Sequence, residues 1–475
     1  MCLSTILKYS PRTLKRLKNL IRGREAYIIT QVPHNDDIFI SDYLNVPVMC
    51  PEPDTAALFS CKSGSKRIFA NAGVTMPPGE YDVYSLPQLH ECLAQLITEN
   101  LEVTRWLFKL DDEYDGRGIA YIDIGDHLHC YQWALKEAAR YGEKWKKKWA
   151  QEAAYIKIHE EVPTLLTQHA RTNNKNVYAT WEIYLEAFLS QGGVIEACPP
   201  SDSVTALTAD MLIEPNGEMS IVSLGDQIHD DSLYTCWGLS VPQSSVEPEL
   251  LNDNLFKVAE SCRARGVIGY FAVDFVTFIH PKTMAQELWT VDLNLSYSDT
   301  AAMSQLLKFV SCGTLDVKTH FFDVPPPKVE EKKLRRRRLK EEEAPPNTKR
   351  YAVLSTKLFH TNLSVVHYSV FFQMCRAHGI GYDIKEKQGT VFTLIDSFNR
   401  EHLGMLSVGD NLQNVLSIFA TNLSVIHQEI SAPNMQGDSN FRPVIEDIEA
   451  ILGTTVENAE DEEEDKEEEK EVATT

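Results

Sequence analysis

The segment GYFAVDFVTFIHPKTMAQELWTVDLNLS, residues 269–296, holds two strand-forming runs, and both carry acids where a buried sheet would have aliphatics. The first, Tyr270–Phe278, is largely apolar, yet Asp274 sits between Val273 and Phe275. Such a run marks a buried strand. In the second, Trp289, Val291, Leu293 and Leu295 alternate with Thr290, Asp292 and Asn294. Period-two geometry then puts Asp292 and Asn294 on one face. His280-Pro281-Lys282-Thr283 reads as the turn, and an even register sets Asp274 beside Asp292 on that face. Neighbouring carboxylates in a half-buried sheet repel one another and need something positive between them. A hard divalent cation, Mg²⁺ above all, held by these oxygens and completed by water and phosphate, meets that need. The competing reading is a solvated outer face of a hairpin, where Asp and Asn are common.

Cations for the same ligand occur upstream. Lys109 lies within the strand TRWLFKL, and the loop Asp111-Asp112-Glu113-Tyr114-Asp115-Gly116-Arg117-Gly118 follows that strand directly. A strand lysine offers a compact charge to a phosphate, and glycines let backbone N–H groups approach its oxygens. Alone, a Gly-x-Gly hairpin is more often just a turn. Lys62 and Lys66 precede Gly73 on the segment CKSGSKRIFANAGV, which reads as a helix ending at that glycine.

Taken together, these residues resemble the ATP-grasp superfamily over about residues 12–315. The matching features run in order: Lys62 before Ala72-Gly73-Val74-x-x-Pro77, Lys109 with Gly116 and Gly118, the strand Val194-Ile195-Glu196, then V-D-F (Asp274) and D-L-N (Asp292, Asn294). The resemblance implies an α/β and α+β fold: a pre-ATP-grasp α/β lobe, two α+β lobes sandwiching a nucleotide, then a small α+β domain and a disordered acidic tail. It implies ATP and Mg²⁺ as cofactors. Lys62 and Lys109 would hold the phosphates and serve catalysis, Gly116, Arg117 and Gly118 would cover them, and Glu196 would lie in the hinge strand whose backbone bonds adenine. Asp274, Asp292 and Asn294 would bind the metal. Asp226-Gln227-Ile228, Cys236-Trp237-Gly238 and Pro242, with the distal RYAVLSTKLFH module, resemble the peptide-ligase-type branch that carries an extra C-terminal domain.

Three departures weaken catalysis more than binding. The usual Glu of Glu-x-Asn is Asp292, one methylene shorter; Ser296 stands where many members have an Arg; a small residue near Ser203 replaces a ribose-binding acid. Two functions are therefore weighed. The first is an ATP- and Mg²⁺-dependent carboxylate–amine ligase acting through an acyl phosphate on an unknown carboxylate and amine. The alternative is a pseudoenzyme that binds nucleotide and organises protein partners.

The 475-residue chain is 43% hydrophobic with a formal charge of −22, and residues 457–471 alone hold eleven acids and two lysines. An acidic body argues against broad nucleic-acid binding. Ten cysteines lie no closer than Cys50 and Cys61, so zinc knuckles and CxxC redox motifs are absent and the thiols are expected to be reduced in a cytoplasmic setting. No segment is long enough to span a bilayer, and no membrane partner is expected. The first 24 residues carry seven Lys/Arg and no acid, a trait of mitochondrial presequences; Leu14, Leu17, Leu20 and Ile21 at helical spacing read instead as a surface helix leading into a strand over Ala26–Thr30. Expected boundaries are residues 1–60 for that helix and the pre-ATP-grasp lobe, 61–322 for the ATP-grasp domain and 323–348 for a charged, Pro-rich linker. The α+β domain then covers 349–430 and the acidic tail 431–475. The tail and the basic run Lys332–Lys340 are candidate protein-binding segments. Trp145 and Trp149 are expected to pack at i,i+4 on one solvated basic helix. Calmodulin binding would require an upstream region, because no Ile-Gln-x-x-x-Arg-Gly pattern occurs in this sequence.

Overall fold

The computed structural model describes residues 2–230, 234–326, 347–393, 399–431 and 437–453. The acidic run 457–471 and the basic run Lys332–Lys340 lie outside these residues, whereas 437–453 of the expected tail are described. Two compact units divide the chain: Met1–Val222 with Ser245–Ser298, and Ser223–Ser244 with Asp299–Thr475.

In the first unit a five-stranded antiparallel sheet runs in the order Gly79–Val83, Gly193–Ala197, Arg105–Leu110, Ile119–Asp123, Arg171–Thr172. Its two faces differ in kind. Trp106, Phe108, Leu110, Ile195 and Ala197 belong to an apolar core with Leu89, Leu93, Trp181, Tyr184 and Phe188 from flanking helices. Side chains alternate along strands, so Leu107, Lys109, Val194 and Glu196 must emerge on the opposite face. Lys109 pairs with Val194 and Leu107 with Glu196, which makes Lys109 and Glu196 diagonal neighbours across two central strands.

A second antiparallel group in this unit orders Gln286–Asn294, Gly269–Ile279 and Val204–Ile213. Asp292 pairs with Asp274, as the even register required. The alternation upstream of Asp292 is corrected, however: the register shifts between Thr290 and Asp292, so Val291 is the extra residue of a bulge. Thr290 pairs with Phe275 and Trp289 with Val276, which puts Thr290 on the face opposite Asp292 and Asn294, and Trp289 on the same one.

Helices cover 35–44, 62–72, 86–99, 181–191 and 248–263, close to where the sequence puts them. Elsewhere the reading is revised. Ala26–Thr30 forms no strand; Ile28 makes one isolated parallel bridge to Val48. A helix over Pro53–Ser60, which the sequence reading passed over, carries proline in its first turn. Trp145 and Trp149 do not share a helix. Trp145 lies in a 3₁₀ turn that ends before Lys147, Trp149 opens the next helix, and both rings pack on Tyr141.

The second unit carries an antiparallel sheet with Cys236–Val241, Thr348–Phe359, His402–Gly409, Gln388–Thr393 and Tyr382–Asp383 in that order. The helix Leu412–Ile430 packs Phe419, Leu423 and Ile426 into its core. Residues 441–453 add a further helix.

Candidate functional site

Five charged side chains of the first unit meet in one place. Lys62 and Lys66 are one turn apart on the helix Lys62–Ala72, which ends at Gly73 in the left-handed conformation. Its start is fixed by Asp111: the Ser63 amide donates to Asp111 Oδ1 at 2.7 Å, and the Lys62 amide donates to the Asp111 carbonyl at 3.2 Å. A carboxylate at a helix N-terminus satisfies orphan donors and the helix dipole together. Because Asp111 follows the strand Arg105–Leu110, this cap ties the helix to the end of the strand that carries Lys109.

Lys62 Nζ lies 3.2 Å from Asp292 Oδ2, and Lys109 Nζ lies 3.5 Å from the same oxygen. Lys109 also pairs with Glu196 Oε1, while Lys66 Nζ lies 2.7 Å from Glu196 Oε2. The Val291 bulge has a direct use, since its carbonyl accepts from Lys66 Nζ at 2.9 Å. Glu196 is only 2% exposed, and Lys66 and Lys109 only 4% each. Burial penalises every one of these charges, so their ionisation depends on each other. Although burial pulls it down, Lys109 is held above the ordinary lysine range by Asp292 and Glu196. Burial also opposes ionisation of Asp292, yet Lys109, Lys62 and Lys66 keep its carboxyl well below the usual carboxylate range. Lys66 goes the other way: burial outweighs Glu196, and its ammonium is depressed.

Behind this cluster lies a row of oxygens. Asp274 Oδ1 accepts from Thr208 Oγ1 at 2.6 Å, and Asp274 Oδ2 accepts from Asn294 Nδ2 at 3.3 Å. Thr208 pairs with Asp274 across the sheet, and Asp274 with Asp292, so the three share one face; Asp210, Ala272 and Asn294 form the next row on that face. Burial, and then the Asp292 charge, push the Asp274 carboxyl up to about 6. Asp292 Oδ1 is buried without a hydrogen-bond partner among the described residues. An orphaned carboxylate oxygen beside an all-oxygen donor set suits a hard divalent cation, which would supply the missing charge. The residues present therefore fit Mg²⁺, with Asp274, Asp292 and Asn294 to hold it.

The expected residues are not all gathered. Lys62, Lys109, Glu196 and Asp292 come together, with Asp274 and Asn294 in the adjoining row. Gly116, Arg117 and Gly118 are instead engaged locally. Arg117 Nε lies 3.6 Å from Glu113, Tyr178 donates to Glu113 at 3.1 Å, and Asn173 donates to the Gly116 carbonyl at 3.2 Å. Glu196, expected for its backbone, contributes its side chain. The sequence signal for that was available: a glutamate in a strand whose five residues are otherwise Gly, Val, Ile and Ala. Thr208 and Val291 carried no signal of their own.

A basic helix pair and a strand lysine over an acidic sheet row is the layout expected of ATP-grasp proteins. The family model described as "IQCH-like, ATP-grasp" matches residues 53–318, more than half of the chain, and the chain belongs to that family. It is similar to IQ motif-containing protein H of Danio rerio, 48% identical over 459 residues, which is 96% of this chain and 42% of that relative. The chain thus spans about two fifths of the relative's length. Similar solved structures include the biotin carboxylase domain of Hydrogenobacter thermophilus 2-oxoglutarate carboxylase with MgADP, ADP and bicarbonate. It shows 11% identity and a TM-score of 0.49 over 92% of this chain and 81% of the other. N5-carboxyaminoimidazole synthetase of Staphylococcus aureus with ADP shows 12% identity and a TM-score of 0.43 over 86% and 83%.

Proposed function

We propose that the first unit binds ATP with Mg²⁺ and that its chemistry is of the carboxylate–amine ligase type, in which a carboxylate is activated as its phosphoric anhydride before an amine attacks. The observation that carries the reading is the shared target of Lys62 and Lys109, both within 3.5 Å of Asp292 Oδ2. Cations from the helix and strand of one sheet thereby meet an anion on another sheet, where a polyphosphate and its counter-ion need both signs of charge. In such transfers most of the help is alignment and charge neutralisation. Lys62 is the less buried lysine and exchanges Asp292 for a phosphate oxygen. Lys109 stays neutralised by Glu196 while it turns toward the nucleotide. Asp274, Asp292 and Asn294 would hold the metal, whose chemistry there would be to neutralise phosphate charge, and Thr208 keeps Asp274 oriented. The Gly116–Gly118 loop covers the phosphates after releasing Glu113.

A second reading, nucleotide binding without turnover, has a specific observation in its favour. Ser296 stands where an arginine would steady developing charge, and its amide donates to the Asn294 carbonyl at 2.9 Å. Purified protein given Mg-ATP and a mixture of amino acids separates the two. Lys109-dependent ADP release supports the ligase; saturable nucleotide binding without ADP release supports the scaffold; no binding at all removes both. Protein partners through the acidic tail or the basic linker, and a cytoplasmic site of action, remain part of the proposal. Calmodulin would enter only if a region upstream of this sequence carries an IQ motif.

A further inference from the structure

We infer that the N-terminal helical face of the first unit docks on an anionic lipid bilayer, a role separate from the nucleotide site. Residues 1–24 carry seven Lys/Arg and no acid in a chain of net charge −22. The helix Pro11–Ile21 turns Leu14 inward, with Leu17 and Ile21 packed against Ile40 and Leu44, and this leaves Arg12, Lys15 and Arg16 exposed. A continuous strip joins this helix to its neighbours. Lys8 Nζ, ion-paired with Asp36 at 2.8 Å, stands 5.0 Å from the Phe39 ring centroid, Phe39 stacks on Tyr43 at 6.5 Å, and Lys18 Nζ stands 5.3 Å from the Tyr43 ring, so the bases this helix leaves for an anionic surface are Arg12, Lys15, Arg16 and Lys18. Both rings remain two-fifths exposed, at 41% and 40%. On the helix Leu3–Lys8, Leu3 and Ile6 share a side by their three-residue spacing. With Tyr9 they form an apolar ridge, 69%, 51% and 77% exposed.

The combination of bases, half-exposed aromatic rings and protruding aliphatics selects the occupant. A polyanion such as RNA would neutralise the bases and leave the ridge in water. The chain's own acidic segment 457–471 has the same shortcoming, since Ala459 is its only apolar residue. An anionic bilayer interface accepts both, the ridge and rings at the headgroup boundary and the bases on the phosphates. A convex ridge also needs no shaped groove in its partner. No described helix is long and apolar enough to cross a membrane, and the sequence expectation of no membrane partner rested on that length alone; surface contact of this kind calls for no spanning helix.

The test is co-sedimentation of the full chain with phosphatidylcholine vesicles, with and without phosphatidylserine. The parent should bind only the anionic vesicles, and binding should weaken with added salt. Lys15→Glu with Arg16→Glu should reduce it by about tenfold or more. Leu3→Ser with Ile6→Ser should give a comparable loss, and both variants, altered only at exposed positions, should keep the parent's melting temperature. Absence of phosphatidylserine-dependent binding, or parent-like binding by the charge-reversed variant, overturns the inference. So does a ridge variant that binds like the parent, which would reduce the face to a generic polyanion site.

Discussion

At the scale of single residues the decisive feature is an ion cluster whose members are each untenable alone. Glu196 neutralises two buried lysines, so Glu196→Gln leaves buried Lys66 without its carboxylate partner and Lys109 with Asp292 alone. Losing one partner of a buried pair costs about 3–5 kcal/mol, and urea unfolding of E196Q should show a loss of that order. Thr208→Val tests a finer point. It removes one hydrogen bond to Asp274, worth about 1 kcal/mol or somewhat more for an ionised acceptor, and Mg²⁺-dependent nucleotide affinity should fall severalfold while affinity measured without the metal stays unchanged. The convergence of Lys62 and Lys109 on Asp292, and of Asp274 with Asn294, was legible because each residue is polar within an apolar or glycine-marked pattern. The side-chain role of Glu196 was harder to see. In a strand buried on both faces, alternation no longer tells which side chains face the site.

At the scale of elements, glycines separate two kinds of constraint. A Cβ on Gly193 would stand 2.4 Å from the Lys109 carbonyl oxygen and 2.4 Å from a Phe188 ring carbon. The strand Gly193–Ala197 lies between two others, so neither neighbour can withdraw, and overpacking there costs about 1–3 kcal/mol or more. Gly73, at φ +66, meets nothing within 4 Å. Gly73→Ala should therefore cost only the left-handed strain, about 1 kcal/mol. Thermal unfolding of the two variants should rank them in that order; equal losses would contradict the packing described. The helices were legible from caps and periodicity, and the hairpin register from its even spacing. The Val291 bulge was not, because an extra residue in a strand leaves no compositional mark. Ala26–Thr30 failed as a strand for the complementary reason: β-branched sequence supplies propensity, but a strand also needs a neighbour along its length.

At the scale of the whole molecule, the two units should respond differently to acid. In the second unit His320 is buried, its Nδ1 2.7 Å from Gln243 Nε2, and burial pushes its protonation down to about 4. Burial also depresses His360 and His427. A depressed folded-state value means that the unfolded chain takes up the proton first. Stability is then complete above the ordinary histidine value of 6.5 and is lost as pH falls from there toward 4. His320 alone accounts for about 3 kcal/mol of that loss. In the first unit Lys109 and Lys66 hold the Glu196 carboxyl below its ordinary range against the burial that would raise it, so that ion pairing survives through the same window. Hydrogen exchange across pH 7 to 4 should show the second unit opening first. His320→Asn, which tolerates the positive φ of 54° at that position, should flatten the dependence. The division into two units was only partly legible, because Ser223–Ser244 belongs with residues beyond 299 rather than with its neighbours in sequence.

Equilibrium binding of Mg-ATP to the intact chain and to Lys62→Ala tests the central claim most directly, since this substitution leaves Glu196 paired with both buried lysines. The parent should bind saturably, and the variant, with an unchanged melting temperature, should bind at least tenfold more weakly. Equal affinity in the two proteins, or no binding by the parent, would contradict the assignment of this cluster to a nucleotide.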